Sequence, residues 1–316
     1  MGELRRTLAE LVAIDSVSSR PNGPIVEHLA RVVERLGFQT RRFPFTDDVG
    51  VAKVNLVAAT RWDAPPGLAL VGHTDTVPFD AGWAQALSLE EADGKLYARG
   101  ACDTKGFIAC ALEAAAQTDL RSLRSPLALV FTADEEIGCV GAKKLVEARA
   151  LAPRHAIIGE PTSLTPVRAH KGYCLARLEV IGREGHSAYP ALGASAILAA
   201  GHLLARIDEY GRALALERHA DFDPPHTTLN VGIVRGGEAP NVIPGSCRFI
   251  LEWRPVPGES PSRVLDQVRG LAQQVASACG VGVSVKGLRL DRGIETPPTS
   301  DLVRFLEQSS GKAPAT

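Results

Sequence analysis

Apolar positions in the first half of the chain switch between helical and strand spacing. Leu4, Leu8, Leu11 and Val12 recur at helical intervals and predict an opening helix. Pro21-Asn-Gly-Pro24 breaks it. Pro24 then suits the first turn of a second helix carrying Ile25, Val26, Leu29, Val32, Val33 and Leu36, with Gly37 as its stop. Strands are predicted at 38–43, 54–59 and 68–71, followed by an alanine-rich helix at 104–116. A near-continuous apolar run at 126–131 reads as a strand covered on both faces. A helix at 139–150 and a short strand at 155–158 follow. Helices alternating with buried strands predict an α/β architecture with a mostly parallel sheet.

From Tyr173 the pattern changes. Residues 173–181 alternate like a half-exposed strand, 194–207 fit a helix, and 227–234 and 247–253 are two further alternating strands. Ser260-Pro261 opens a helix bearing Val264, Leu265, Val268, Leu271 and Val275, and 281–288 closes the set. The order β-α-β-β-α-β is that of a ferredoxin-like sandwich. The predicted division is therefore a first domain at 1–170, an inserted domain at 171–287, and a return to the first domain at 288–316. The return holds a helix with Leu302, Val303, Phe305 and Leu306. The outer edge of the inserted sheet is a candidate for pairing with another subunit.

Composition narrows the class without naming a function. Of 316 residues, 45% are hydrophobic and 22% charged, as in an ordinary globular protein. Lys and Arg number 35 against 36 Asp and Glu, with no basic stripe, so neither nucleic acid nor an anionic membrane is an expected partner. Met1-Gly-Glu-Leu-Arg-Arg has no apolar leader, and no segment approaches membrane-spanning length. Cys102, Cys110, Cys139, Cys174, Cys247 and Cys279 lie far apart with no C-x-x-C, which reads as buried reduced thiols in a cytoplasmic protein.

The chemistry gathers at predicted strand ends. Leu68-Ala-Leu-Val-Gly-His73-Thr-Asp75-Thr-Val-Pro78 ends a strand in an imidazole and a carboxylate two residues apart, on one face of an extended segment. That pairing suits a metal-binding histidine oriented by the carboxylate, although taken alone it reads more readily as a hydrogen-bonded pair in a turn. Asp103 precedes the third helix, Glu135 and Glu136 follow the apolar run, and Glu160 follows the short strand. Parallel strands place such residues along one carboxyl edge, where open α/β sheets hold their sites. One histidine with several carboxylates suits Zn²⁺ or another first-row divalent ion. Adjacent residues in extended backbone point apart, so one of Glu135 and Glu136 can ligate while the other serves as a general base. Taken alone, Asp134-Glu-Glu136 reads as a solvated acidic turn.

Four blocks together resemble the M20 family of co-catalytic zinc amidohydrolases: 70–78, Tyr97-Ala-Arg-Gly-Ala-Cys-Asp-Thr-Lys-Gly106, Thr132-Ala-Asp-Glu-Glu-Ile-Gly138 and Ile158-Gly-Glu-Pro-Thr162, in family order. The resemblance implies a zinc-aminopeptidase-like sheet whose inserted domain serves dimerisation and as a lid. It implies two divalent metal ions, zinc with cobalt as a substitute. His73 and Glu160 would bind one, Glu136 the other, and Asp103 would bridge them. Asp75 would orient His73, and Glu135 would be general base and proton shuttle. A cis peptide is expected at Asp103-Thr104. The implied reaction is hydrolysis of a small N-acyl amino acid, with desuccinylation or dipeptide cleavage as other specificities of the family and a metal-deficient binding subunit as a non-enzymatic alternative.

In the second domain, Gly185-His186-Ser-Ala matches the segment whose histidine reaches across a homodimer to help stabilise an oxyanion. Asn241, in Pro240-Asn241-Val-Ile-Pro244, resembles a substrate contact. Arg254 fits either a substrate carboxylate or a structural salt bridge, and Lys171 either a substrate contact or a hinge surface charge. Family members continue to a Gly-Pro-Gly segment and a late histidine that completes the second metal position. No histidine here lies beyond His226, which implies a chain shortened at its C-terminus, with an incomplete second site.

Overall fold

A hairpin sets the direction of the first sheet. Strands β1 (Gln39–Thr46) and β2 (Ala52–Ala59) follow helices α1 (Gly2–Val12) and α2 (Gly23–Arg35), and the link from Asp47 to Val51 is too short for a crossover, so the strands pair antiparallel. Then come β3 (Leu68–His73), a small hairpin of β4 (Glu90–Ala92) and β5 (Lys95–Tyr97), α3 (Lys105–Ala116), β6 (Leu127–Thr132), α4 (Val140–Glu147) and β7 (His155–Ile158). The computed structural model describes residues 2–316.

The sheet order is β1-β2-β6-β3-β7. β2 and β6 are antiparallel, whereas β3 runs parallel to both β6 and β7. The sheet expected to be mostly parallel is thus mixed, because the opening hairpin reverses one side of it. Its parallel part is the part that matters for the site: His73 lies opposite Thr132, and Val71 opposite Ile158. One face packs Leu11, Ile25, Leu29, Val33, Ile108 and Leu112 from the helices against Leu56, Leu129 and Phe131.

The chain forms two compact units that part between Ser163 and Leu164. The second contains β8 (Ala169–His170), β9 (Tyr173–Ile181), β10 (Gly185–His186), α5 (Ala196–Leu214), β11 (Thr228–Gly236), β12 (Val242–Ile243), β13 (Ser246–Arg254), α6 (Ser262–Cys279), β14 (Gly282–Asp291), β15 (Ile294–Glu295) and α7 (Asp301–Ser310). Its main sheet, ordered β11-β13-β9-β14, is antiparallel throughout and carries the expected βαββαβ connectivity. Alternate residues Cys174, Ala176, Leu178 and Val180 turn inward with Phe249, Leu251 and Trp253, and α5 and α6 cover them with Leu203, Ile207, Val264 and Val268. Within this unit β15 pairs with β8, and Ala315 with Val167. Among the described residues no helix is long and apolar enough to cross a membrane.

Candidate metal centre

Strand β3 delivers His73 to the carboxyl edge of the sheet with only 3% of its surface exposed. Nε2 lies 2.9 Å from Asp103 Oδ1. Nδ1 lies 3.0 Å from the main-chain carbonyl of Asp75 and 3.5 Å from that residue's carboxylate. The carbonyl is the nearer acceptor and holds the ring, and the carboxylate acts on it by charge. With both ring nitrogens facing acceptors, the imidazole carries two protons in this arrangement. Burial alone would lower its pKa, but Asp75 and Asp103 reverse that and raise it to about 10.

Asp103 stands just before α3, and the Asp103–Thr104 peptide is cis, as expected. The Thr104 hydroxyl ties this turn to the strand end: it accepts the N–H of His73 and donates to its carbonyl, both at 3.2 Å.

Beyond β6 the chain makes a loop closed on itself, Gly141 N–H donating to the carbonyl of Ala133 and Val140 N–H to that of Asp134. Asp75 holds this loop as well. Its Oδ1 accepts the N–H of Glu135 at 3.0 Å, and its Oδ2 accepts the N–H of Glu136 at 3.2 Å and the Ser18 hydroxyl at 2.8 Å. Burial would raise the Asp75 pKa, and these donors together with His73 bring it below the usual carboxylate value. The loop sets Glu136 beside the first two residues, so that ligand atoms of His73, Asp103 and Glu136 all lie within 4.8 Å of one another. Glu135 stands beside that group rather than in it, its Oε1 accepting the Cys139 thiol at 3.3 Å.

Glu160 follows β7 through Gly159, which has no room for a side chain: a Cβ would lie 1.9 Å from Phe107 Cγ. Glu160 is apart from the three-residue group but within its field. Burial, and then Glu135, Asp103 and Glu136 against the opposing pull of His73, push it up to about 7. Glu136 is likewise raised, by burial and then by Asp103. An imidazole beside carboxylates whose charged forms are disfavoured by burial and by one another is a donor set that a divalent cation relieves. The residues fit such an ion.

In the second unit, β10 pairs with β12, placing His186 opposite Val242, and Ser187 N–H donates to the carbonyl of Asn241. His186 and Asn241 are therefore neighbours. His186 Nδ1 accepts the N–H of Ala188 at 3.1 Å. Arg254 is stacked over the ring of Tyr173 at 3.8 Å and donates Nε–H to Glu252 at 2.7 Å. Lys171 Nζ donates to the carbonyls of Pro224 and His226, at 2.6 and 2.8 Å.

Ser18 was not singled out by sequence, and Thr104 only for the cis peptide; their hydrogen bonds appear once distant segments are brought together.

Two family descriptions match the chain: the M20-type peptidase dimerisation domain over residues 168–278 and peptidase family M28 over residues 55–189. An acetylornithine deacetylase of Myxococcus xanthus is 53% identical over 317 residues, spanning 99% of this chain and 83% of that protein. The chain belongs to the M20 family. A second acetylornithine deacetylase, from Pasteurella multocida, is 36% identical over 95% of this chain and 79% of its own length. An M20 family metallo-carboxypeptidase from Sulfolobus solfataricus shares the fold, with a TM-score of 0.72 and 20% identity over 99% of this chain and 85% of that one. The M20 family is metal-dependent, and the cluster at the carboxyl edge of the sheet is a candidate metal site.

Proposed function

We propose that this M20 protein hydrolyses N²-acetyl-L-ornithine to acetate and L-ornithine, a step of arginine biosynthesis. Family membership makes it a hydrolase acting on linear amides, and the choice of substrate rests on its likeness to the two deacetylases. The observation that carries the chemistry is the convergence of His73, Asp103 and Glu136 with Glu135 alongside.

His73, Asp103, Glu136 and Glu160 would hold the metal, zinc or in its place cobalt, in one or two positions. When bound, such an ion acidifies water and polarises an acyl oxygen. Glu135, outside the ligand group, removes a proton from water and passes it to the departing amine. Asp75 keeps both His73 and the Glu135–Glu136 backbone in place.

His186 is proposed to act across the homodimer on the developing oxyanion in the other subunit's site, and its neighbour Asn241 to contact the substrate. Arg254, with its orientation fixed by Tyr173, is proposed to receive the substrate carboxylate. Lys171 is committed to two main-chain carbonyls, which favours its structural reading over a substrate contact.

A homodimer through the second unit is supported by the matched dimerisation domain and by Ile233 and Val234 on edge strand β11, about half exposed at 51% and 50%. The cysteine pattern supports a cytoplasmic location. A domain division at 1–170, 171–287 and 288–316 belongs to the same reading.

The test is acetate release from N²-acetyl-L-ornithine by protein loaded with Zn²⁺ or Co²⁺, run beside N-succinyl-diaminopimelate, N-acetylcitrulline and a dipeptide. Faster turnover of any of the last three would replace the substrate, and metal bound without hydrolysis of any amide would end the enzymatic reading. Light scattering at micromolar protein tests the dimer.

A further inference from the structure

Strand β2 carries two polar side chains on its buried side. Lys53 is 1% exposed and Asn55 is fully buried, and residues two apart in a strand point the same way. Because β2 lies beside β6, both meet the loop that leaves β6. Asn55 Oδ1 accepts the N–H of Ala133 and its Nδ2 donates to the carbonyl of Gly141, each at 2.9 Å. One side chain thus pins both feet of loop 133–141. Only glycine permits this closeness at 141, where a Cβ would sit 2.3 Å from Ala133 O and 2.4 Å from Asn55 Oδ1.

Lys53 holds the next residue of the loop. Its Nζ donates to Asp134 Oδ1 at 2.7 Å and to the carbonyls of Ser18 and Arg20, which occupies all three ammonium protons. Asp134 is fully buried and has φ of +54°, a left-handed conformation that a non-glycine residue keeps where its surroundings hold it. A buried ion pair adds little net stability compared with apolar side chains of the same size. Its placement one residue before Glu135 gives it another use.

We propose that Lys53 and Asn55 are positioning residues that fix loop 133–141, so that Glu135 and Glu136 face His73 and Asp103 before an ion arrives. The inference rests on the reading of Glu135 as base and Glu136 as ligand. Pre-organisation of this kind removes the ordering penalty from metal capture and keeps the base at its working distance. Asn55 acts through the backbone of the loop and Lys53 through the Asp134 side chain.

The test pairs Lys53→Met with Asp134→Asn, removing both charges at nearly constant volume. With the fold retained by circular dichroism, amide exchange at 134–141 of the metal-free protein rises by about tenfold or more. Affinity for Zn²⁺ or Co²⁺ falls by about 10–100-fold, and kcat drops while KM holds. Asn55→Ser loosens the feet of the loop by a separate route and serves where the first variant does not fold. Parent-like exchange at 134–141 with parent-like metal affinity overturns the proposal, as does exchange that rises evenly across the whole unit, the mark of a merely structural role. Absence of amide hydrolysis by the metal-loaded parent would instead sink the functional reading, and the exchange and metal-affinity measurements do not depend on it.

Discussion

Asp75 Oδ1 accepts the backbone N–H of Glu135 at 3.0 Å, while the carbonyl of the same residue lies 3.0 Å from His73 Nδ1. One residue therefore joins the imidazole side of the cluster to its carboxylate side. The two sides come from separate strands, so a shift in either would be felt by both.

Replacing Asp75 with Asn tests that coupling. The carboxylate accepts from Ser18, Glu135 and Glu136 through both of its oxygens, and an amide has only one oxygen to offer and turns an N–H₂ donor toward the others. Metal affinity is expected to fall by about 10–100-fold, read by equilibrium dialysis with Zn²⁺. Unchanged affinity would mean that the loop is held adequately without this carboxylate.

The two adjacent glutamates separate by substitution. Glu135→Gln should keep its metal and lose turnover by about 10²–10⁴-fold. Glu136→Gln and Asp103→Asn should lose metal, since both belong to the three-residue group. Elemental analysis beside acetate release distinguishes them, and full activity of Glu135→Gln would remove it as the base.

Metal uptake should depend on pH with a definite sign. Without metal, His73 holds its proton up to about 10 and Glu160 up to about 7. A group protonated below its pKa must release that proton to ligate, so affinity rises with pH. The slope is about tenfold per pH unit between 7 and 10 and steeper below 7, where Glu160 adds a second proton. Calorimetry in buffers of different ionisation heat counts the protons released: about one near pH 8 and about two near pH 6. Uptake with no proton release at either pH would contradict a doubly protonated His73.

Gly159→Ala should disturb the Glu160 arm. A new methyl would meet the Phe107 ring at 1.9 Å, an overpacking that costs about 1–3 kcal/mol. Phe107→Leu added to it should recover part of that loss, because the two positions share one volume. Urea unfolding of the single and double variants is the measurement, and strictly additive effects would deny the contact.

Of the proposed ligands, His73, Glu136 and Glu160 were legible because each closes or follows an apolar strand, where the pattern itself marks the boundary, whereas Asp103 precedes a helix. His73 closes 68–73, and Glu135 and Glu136 follow 127–132. The mixed sheet was less legible, since the apolar faces of β2 look the same whichever way its neighbours run. Helix α5 extends to Leu214, past the predicted end at 207, because the polar run Asp208-Glu-Tyr-Gly211 hides its continuation. Lys53 and Asn55 were invisible for a different reason. A lysine opening a strand reads as solvent-exposed, and only Asp134, 81 positions further on, explains its burial.

His73 and Glu160 leave unequal supports. β3 has a hydrogen-bonded strand on each flank, whereas β7 is bonded to β3 alone and forms the rim. Rims fray more readily than interiors. The imidazole is thus the firmly seated member of the proposed ligand set and Glu160 the arm with slack.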